Sequence, residues 1–391
     1  MKLLNDQLQL AYCTNIHPAE SWAETFAALK EHTLSVRDTL RANGDLAPTA
    51  PYAIGLRLSA LAAAELEPNL PEFQDWLRAE NCYVFTINGF PYGAFHGTRV
   101  KEKVYKPDWT TDSRLDYTRT MARIISALNP AQSNLSISTL PGSFKAFHAY
   151  EPALFYQLIE IADYLEELSV SADQHIHLGL EPEPLGHFEN LSETIAFFQR
   201  LWDYAPAEKV PLLQRRIGVN YDTCHFALEY EDCHSALDAL IDAGIFISKV
   251  HLSNALTFDP QDSRALVYLR DFDEPTYLHQ VLCRHPDGTI VRFTDIPEFF
   301  AHLEQAETNP YVEARCHFHI PLYTQASGVF GSTIEHAQEA LTYLQKVPDY
   351  CSHLEIETYT WGVLPTDLQR PLATMISQEY AWALTHVGPA T

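Results

Sequence analysis

Basic residues are scarce in this sequence: 26 Lys and Arg stand against 51 Asp and Glu, and the formal net charge is −25. A chain this acidic has no general electrostatic attraction for the phosphate backbone of a nucleic acid. Docking on an anionic membrane surface is disfavoured for the same reason. The charge therefore predicts a soluble protein whose partner is a small-molecule metabolite and not a nucleic acid.

Long apolar runs are also missing. No segment approaches the roughly 20 uninterrupted apolar residues that span a bilayer, and the first residues, MKLLNDQLQLAYC, lack the apolar core and cleavage site of a signal peptide. The seven cysteines include no C-x-x-C pair and are odd in number, which fits reduced thiols in a cytosol best. We therefore expect a cytoplasmic protein without direct membrane insertion.

What the sequence does have is a regular alternation of short apolar runs with amphipathic stretches. One stretch places Phe155, Leu158, Ala162 and Leu165 at helical spacing, which predicts a helix laid on a sheet. Such alternation predicts an α/β fold in which a parallel sheet is joined by crossover helices. The predicted strands cover 8–14, 52–58, 82–88, 135–139, 175–181, 217–222, 245–252, 314–320 and 353–357. The other predicted helices cover 20–42, 113–128, 191–202, 296–305, 334–345 and 368–386.

Nine predicted strands are one too many for a (β/α)8 TIM barrel. The interval 251–357 is far too long for a single βα unit. We therefore predict an insertion before the last strand, at about 255–311, with a hairpin of its own. The alternative is that the stretch RCHFHIPLY is a barrel strand and that one N-terminal candidate is not. No linker or shift in composition marks a second domain, so the prediction is a single TIM-barrel domain over 1–391.

Four of the apolar runs end in a residue that can bind a divalent metal. The runs HIHLGLE, IGVNYD, FISKVH and HLEIE end at Glu181, Asp222, His251 and Glu357. The C-terminal ends of parallel strands are where a (β/α)8 barrel keeps its chemistry. Three carboxylates and one imidazole form a mixed oxygen and nitrogen ligand set. The sequence therefore predicts a centre for one divalent metal ion: Mn, Zn, Mg or Co.

Two acidic pairs leave the choice of ligand open. Glu183 shares the strand face of Glu181, and Glu355 shares that of Glu357, because side chains alternate with a period of two. Two carboxylates aimed into a barrel repel each other unless a cation or a shared proton compensates them, which argues for a metal. We favour Glu357 as the ligand because it lies nearer the end of its strand, with Glu355 as a partner beneath it.

Further polar residues near these strand ends are candidates for substrate binding. His225 follows Asp222 in a D-x-x-H sequence and could hold the same ion, a second ion or the substrate. Lys249 shares the face of His251, and its buried charge would need an anionic partner, either a substrate oxyanion or a ligand carboxylate. The substrate-binding candidates are His225, Lys249, Glu183, His317, His319 and Arg315, with Arg57, Asn88 and His96 as weaker ones.

At these positions the chain resembles the xylose-isomerase-like TIM-barrel superfamily of sugar phosphate isomerases and epimerases. The metal-binding Glu, Asp, His and Glu of that superfamily map onto Glu181, Asp222, His251 and Glu357. The D-x-x-H also occurs in its ketose epimerases, and the stretch EPEP is similar to the E-P-K-P of xylose isomerase, with Glu183 in place of the lysine. Ketose epimerases carry a second Glu where this chain has His187 and an Arg where it has Thr257, so their substrate does not transfer.

Longer phrases resemble one group of proteins more closely. INGFPYGAFHG, KVYKPDW, HLSNAL, CHFHIPLY and EIETYTW are similar to phrases of the EboE metabolite-traffic proteins, and the likeness covers nearly the whole chain. The resemblance implies a TIM barrel with a role in the export or trafficking of a precursor metabolite. Barrels of this type often associate, so the resemblance also allows a homo-oligomer.

The leading hypothesis from these observations is a metal-dependent isomerase or epimerase that acts on a sugar-like or hydroxy-carbonyl metabolite. Glu181 and Glu357, from separate strands, would exchange a proton at the substrate carbon as base and acid, while the ion would hold adjacent substrate oxygens. Two alternatives stay open. One is a non-catalytic barrel that binds or traffics a metabolite, and the other is a small-molecule metal-dependent hydrolase that uses more than one ion.

Overall fold

Strands and helices alternate along the chain in the computed structural model, which describes residues 1–93, 101–129, 133–324, 328–359 and 370–388. The strands are β1 Lys2–Leu3, β2 Leu8–Tyr12, β3 Tyr52–Arg57, β4 Cys82–Asn88, β5 Asn134–Thr139, β6 His175–Leu180, β7 Ile217–Asp222, β8 Ile247–Leu252, β9 Leu256–Phe258, β10 Val281–Arg284, β11 Ile290–Phe293, β12 Glu313–Cys316, β13 Phe330–Ser332 and β14 His353–Ile356. The α-helices are α1 Trp22–Ala28, α2 Leu34–Asn43, α3 Ala60–Leu66, α4 Leu70–Ala79, α5 Asp112–Leu128, α6 Glu151–Ala172, α7 Leu191–Tyr204, α8 Val210–Arg216, α9 Thr223–Leu228, α10 Cys233–Asp242, α11 Ser263–Leu269, α12 Ile296–Gln305, α13 Ile334–Lys346 and α14 Leu372–Val387.

Eight parallel strands form a closed barrel. The order around it is β2-β14-β8-β7-β6-β5-β4-β3, and every neighbouring pair in that order is parallel. The circle closes where Cys13, directly after β2, forms a parallel bridge with Gly55 of β3. The short strand β1 pairs antiparallel with β2 outside this circle. The predicted α/β fold, a (β/α)8 TIM barrel, is therefore confirmed.

The barrel strands are buried along nearly their whole length, as expected for a parallel sheet covered by helices. The helix predicted from the stripe around Phe155 is α6, which begins with a proline in its first turn and ends at Asp173 in the left-handed conformation, with φ 53°. Its buried residues include Leu158, Ala162 and Leu165 of the predicted stripe. Among the described helices, none combines the length and the apolar character needed to cross a membrane.

Between β8 and β14 the chain forms a second, antiparallel sheet. Its order is β11-β10-β12-β9-β13, and β12 lies at its centre, paired with β10 and β9. The stretch RCHFHIPLY therefore contributes a strand to the insertion, and the alternative that made it a barrel strand is wrong. This second sheet extends over 256–332, past the 255–311 that the sequence predicted for the elaboration. Whether the whole chain is one domain stays a prediction.

An ion pair fills the middle of the barrel. Lys249 of β8 and Glu355 of β14 are both completely buried and bonded to each other. Gly55 of β3 leaves the space that the carboxylate occupies, because a Cβ there would lie 2.2 Å from Glu355 Oε1 and 2.5 Å from the carbonyl oxygen of Tyr12. TIM-barrel interiors are usually packed with branched apolar side chains, and here a charged pair takes their place in one layer.

A second buried carboxylate ties the last helix to the upper rim of the barrel. Glu379 of α14 is 1% exposed, and its Oε1 accepts hydrogen bonds from the backbone N–H of Leu322 at 3.2 Å and from Thr358 Oγ1 at 2.6 Å. Burial raises the pKa of Glu379 to about 8, although these two donors oppose the shift. The carboxyl group is therefore mostly protonated near pH 7.

We predict that Glu379 makes folding stability depend on pH. Its folded-state pKa lies above its ordinary value of 4.5, so its contribution is full below about pH 4.5 and is lost as the pH rises through about 8. The free energy of unfolding of wild type relative to Glu379→Gln should fall by about 4 kcal/mol between pH 5 and pH 9. Urea unfolding at several pH values measures this difference. Glu72→Gln on the exposed surface of α4 is the control, and parallel curves for wild type and Glu379→Gln would contradict the prediction.

Candidate metal centre

The four predicted metal ligands come together at the C-terminal end of the barrel. Glu181 follows β6, Asp222 ends β7, His251 lies near the end of β8, and Glu357 follows β14. All four are buried, and one ligand atom from each lies within 4.8 Å of the other three. His251 Nδ1 is 3.2 Å from Glu181 Oε1, 3.2 Å from Glu357 Oε2 and 3.6 Å from Asp222 Oδ2. These atoms surround one point, as the ligands of a single ion would.

Amide groups hold two of the carboxylates in place. Glu181 Oε2 accepts a hydrogen bond of 2.8 Å from Asn220 Nδ2. Glu357 Oε1 accepts from Asn15 Nδ2 at 2.9 Å and from Asn88 Nδ2 at 3.1 Å. Such hydrogen bonds fix the orientation of ligating carboxylates in metal sites. They leave the other oxygen of each group directed toward the centre of the cluster.

Asp222 provides the test of whether a cation fits. Its Oδ1 accepts from the backbone N–H groups of Cys224 and His225, at 2.8 and 3.0 Å, and from Ser253 Oγ at 2.5 Å. Its Oδ2 is buried and has no hydrogen-bond partner among the described residues. A buried carboxylate oxygen without a donor is costly, and a cation at the centre of the cluster would satisfy it. The residues therefore fit a divalent metal ion.

His251 is oriented from below by the buried ion pair. Its Nε2 lies 3.0 Å from Glu355 Oε2, and Lys249, which pairs with Glu355, also donates to Ser138 Oγ at 2.8 Å. Burial alone would raise the pKa of Glu355, but Lys249 and His251 outweigh it and lower that pKa to about 2. An ionised Glu355 accepts a hydrogen bond from Nε2, so Nδ1 is the nitrogen that would ligate a cation once the ring has lost its second proton. Glu357, and not Glu355, lies among the four.

The cluster concentrates negative charge among buried side chains. Burial raises the pKa of Glu181 to about 7, with repulsion from Glu357 and Asp222 adding to the effect and His251 opposing it. Burial would lower the pKa of His251, yet Glu357 and Glu181 outweigh it and raise that pKa well above its usual value. Three carboxylates around one imidazole keep an excess of negative charge even when the imidazole is protonated. A divalent cation would neutralise this excess.

A cavity opens directly above the cluster, with about 580 Å³ of empty space including its mouth. Glu181 and Glu357 line it, whereas Asp222 and His251 lie beneath its floor. Its walls combine aromatic and apolar residues with hydrogen-bonding groups: Phe90, Pro91, Val104, Tyr105, Tyr277, Leu278 and Tyr359 with Asn15, Lys101, Glu183, His225, Gln280 and His317. Two buried wall atoms, Tyr105 Oη and Glu183 Oε2, have no hydrogen bond of good geometry to a described residue, although the two side chains lie close enough to influence each other's pKa. A ligand with hydroxyl groups would satisfy both.

The structure places three of the six predicted substrate-binding residues on this cavity: Glu183, His225 and His317. His319 lies directly behind them, with its Nε2 3.2 Å from His317 Nε2. Burial lowers the pKa of His225 to about 4 and that of His317 well below its usual value. His225 and His317 are therefore neutral near pH 7.

The other two predicted substrate contacts lie elsewhere. Lys249 does not line the cavity, because its buried ammonium group is bonded to Glu355 below the cluster. Of the two anions that the sequence allowed as its partner, the structure thus shows a carboxylate of the barrel. Arg315 lies on β12, where it donates to Glu313 Oε1 at 2.8 Å and stacks 3.9 Å from the ring centre of Tyr230. It fastens the insertion to the barrel and does not reach the cavity.

Of the three weaker candidates for substrate binding, the structure places one at the site. Arg57 is buried and donates to the backbone carbonyls of Ala19, Pro91 and Gly93, so it holds two loops together. Asn88 reaches the site, but as a hydrogen-bond donor to Glu357. His96 lies outside the described residues.

Several residues of the site were not predicted. Asn220 shares the strand face of Asp222 in IGVNYD, so the period of two could have indicated it. Asn15 lies in a short 3-10 helix after β2, whereas Ser253 and Gln280 lie in loops, and no spacing pattern connects the three. Tyr105 belongs to the stretch KVYKPDW, which does not directly follow a predicted strand. Its position in the sequence therefore did not indicate a role in the site.

Comparison with known proteins gives remote structural likenesses only. No family model matches the chain, and no curated protein matches it. The solved structures to which it is similar include an L-ribulose 3-epimerase, with 11% identity over 97% of this chain and 94% of that one and a TM-score of 0.48. They also include the probable 3-DHS dehydratase AsbF of Bacillus anthracis (12%, 96% and 98%, TM-score 0.47) and an IOLI protein with a bound zinc atom (9%, 97% and 100%, TM-score 0.47). Likeness this remote carries no argument about the reaction, and the fold assignment rests on the strand pairing. The resemblance to the EboE metabolite-traffic proteins stays a prediction.

We predict that the ion pair beneath the cluster stabilises the protein only as a pair. Lys249→Met leaves the buried Glu355 without its partner and should lower the free energy of unfolding by about 3–5 kcal/mol. Adding Glu355→Gln to that variant removes the unpaired charge and should recover a large part of the loss. Urea unfolding of the two single variants and the double variant measures the coupling between the two residues. Additive effects of the two substitutions would show that the pair is not coupled.

Proposed function

We propose that this protein is a metal-dependent isomerase or epimerase that acts on a sugar-like or hydroxy-carbonyl small metabolite. The observation that carries the proposal is the convergence of Glu181, Asp222, His251 and Glu357 at the floor of the cavity, with ligand atoms within 4.8 Å of one another. The resemblance of these four positions to the metal set of xylose-isomerase-like barrels supports the same function.

The four residues have different roles in this proposal. A bound divalent ion would supply electrostatic stabilisation of negative charge on adjacent substrate oxygens. Asp222 and His251 hold their positions from below, because both lie under the cavity floor and are bonded to the barrel. Glu181 and Glu357 are the two that face the cavity, so they are the groups that can take a proton from a substrate carbon and return it.

The cavity walls support a small substrate that carries hydroxyl groups. Phe90, Tyr277 and Tyr359 offer apolar faces for the carbon skeleton. Tyr105 Oη and Glu183 Oε2 are the buried polar atoms that hydroxyl groups of such a substrate would bond. Binding at both places would hold one substrate carbon close to the carboxylates on the floor.

The first test of this function is metal content followed by proton exchange. Mn²⁺ suits a ligand set rich in carboxylates, so the wild-type protein loaded with Mn²⁺ should retain about one equivalent after dialysis. The double variant Asp222→Ala, His251→Ala should retain none. The loaded wild type is then incubated with ketoses and polyols in deuterated water, and incorporation of deuterium at a carbon atom is measured by NMR. The absence of exchange on every compound, with the metal bound, would sink the isomerase proposal.

Glu357→Gln should abolish turnover while the protein stays folded. The substitution keeps the size of the side chain and one potential ligand oxygen but removes the proton-transferring carboxylate, a role worth about 10²–10⁴-fold in rate. We expect kcat on an identified substrate to fall by at least about 100-fold, with the circular dichroism spectrum unchanged. Glu335→Gln on the exposed side of α13 is the matched control. Full activity of Glu357→Gln would remove Glu357 from the mechanism.

A barrel that binds or traffics its metabolite without turnover is the second candidate. It is favoured by the positions where ketose epimerases carry an additional Glu and Arg. His187 is bonded here to Glu151 at 3.0 Å, and Thr257 lies within β9 of the second sheet. Neither residue lines the cavity. Mass spectrometry of ligands that co-purify with the protein distinguishes the two: an unchanged ligand after incubation with the metal-loaded protein favours binding, and its conversion favours catalysis.

A further inference from the structure

Glu183 places a carboxylate on the wall of the cavity, apart from the two at its floor. It stands between Pro182 and Pro184, whose rings fix the backbone on either side. The carbonyl oxygens of both prolines are also held, because His225 Nδ1 lies 2.9 Å from that of Pro182 and Gln280 Nε2 donates to that of Pro184 at 3.2 Å. The backbone that presents the Glu183 side chain to the cavity therefore has little freedom.

Positive charge is scarce around this carboxylate. Lys101 is the only Lys or Arg among the described residues that line the cavity, and its ammonium group is already bonded to Asp295. The three carboxylates of the metal cluster carry one more negative charge than a divalent ion offsets. The cavity therefore keeps an excess of negative charge even when its floor holds an ion, and a cleft of one sign attracts ligands of the other.

Aromatic rings share the wall with Glu183. Burial raises the pKa values of Tyr105 and Tyr359 well above the usual range, and the charge of Glu183 adds to both shifts, so both hydroxyl groups lie near it. The ring of Tyr105 packs against Phe90 with centres 5.5 Å apart, and that of Tyr359 packs against Tyr277 at 5.3 Å. All four rings line the cavity. Aromatic faces attract ammonium groups, and a carboxylate binds them through charge-assisted hydrogen bonds.

Tyr105 supplies a second polar atom close to the carboxylate. The residue is 1% exposed, and neither its Oη nor Glu183 Oε2 has a hydrogen bond of good geometry to a described residue. A ligand hydroxyl group has one hydrogen to donate, whereas an ammonium group has three and can bond both oxygens at once. An ammonium group also favours the ionised form of a carboxylate beside it, so the charge of Glu183 does not have to be present before the ligand binds.

We propose that the substrate carries a protonated amino group, which Glu183 and Tyr105 bind on the cavity wall. The inference rests on the proposed function, because it names the class of substrate: an amino sugar or another hydroxy-carbonyl compound with an amino substituent. Glu183 is then a residue that determines specificity, while Glu181 and Glu357 exchange the proton at the floor. The rings of Phe90 and its aromatic neighbours cover the carbon skeleton between the two places.

The same features disfavour a phosphate or carboxylate group of the substrate at this wall. Such a group would be repelled by Glu183, and to reach a cation it would have to draw Lys101 away from Asp295. Asp295 is itself held in place, because its Oδ1 accepts from the backbone N–H groups of His279 and Ile296 at 3.1 and 3.0 Å. The wall therefore selects against phosphorylated sugars.

A second metal ion is the rival occupant of the Glu183 carboxylate. Glu183, His225 and His317 each offer a ligand atom, and these atoms lie within 4.8 Å of one another. Metal content after loading with Mn²⁺ or Zn²⁺ and dialysis separates the two. If Glu183 binds an amine, wild type and Glu183→Gln should each retain about one equivalent of either metal. Two equivalents in wild type and one in Glu183→Gln would assign the carboxylate to a metal and overturn the proposal.

The direct test compares two small compounds that differ in one group. Serinol carries an ammonium group where glycerol carries its central hydroxyl group, and isothermal titration calorimetry with the metal-loaded protein measures both dissociation constants. We expect wild type to bind serinol at least about tenfold more tightly than glycerol, because a hydrogen bond between two charged groups replaces one to a neutral group. Glu183→Gln keeps the size of the side chain and should bind the two compounds equally. Glu335→Gln on the exposed side of α13 is the matched control and should keep the preference.

Three results of this titration would overturn the proposal. They are equal binding of serinol and glycerol by wild type, no binding of either compound, and a preference for serinol that survives in Glu183→Gln. The last result would mean that the amine binds the metal ion directly. Neither the metal content nor the titration depends on turnover. A lack of proton exchange would therefore contradict the isomerase function alone, and a lack of preference for the amine would contradict this inference alone.

Discussion

The compensation of buried charge at the centre of the barrel is the constraint on which the rest of this structure depends. Three carboxylates and an imidazole meet at buried positions at the floor of the cavity, and directly below them lies the pair of Lys249 and Glu355. The groups around the cluster hold these charged side chains in position or give them space. Amide groups hold the outer oxygens of Glu181 and Glu357, and Gly55 gives Glu355 the space it needs. The barrel thus gives up apolar packing in its middle layer to keep a charged floor in a fixed geometry.

The insertion before the last strand contributes residues to the site. Its central strand β12 ends at Cys316, and the residues that follow turn away from the sheet and bring His317 and His319 against His225. The carboxylate-rich cluster comes entirely from barrel strands, whereas two of the three clustered histidines come from the insertion. The cavity therefore has one wall fixed by the barrel and one that the insertion supplies.

Much of the fold and of the first cluster was predictable from the sequence because both follow from short-range regularities. Buried parallel strands are continuous apolar runs, so the sequence indicated all eight barrel strands and the four candidate metal ligands at their ends.

The second sheet was predictable only in part, since strands as short as Leu256–Phe258 and Phe330–Ser332 carry no clear pattern. The alternation of Arg315, His317 and His319 suggested one shared face, but the strand ends between the first and second of them, so they separate. The alternation of side chains along the strand correctly predicted that Lys249 points into the barrel. It could not show how deep Lys249 lies or that Glu355 is its partner.

The position of β14 in the chain has a consequence for how the protein is made. This strand pairs with β2 on one side and β8 on the other, and it carries both Glu355 and Glu357. Until the ribosome has released it, Lys249 lacks its counter-ion, and the ligand cluster lacks one of its carboxylates. A product cut short within the insertion would hold an uncompensated lysine in an open, unclosed sheet.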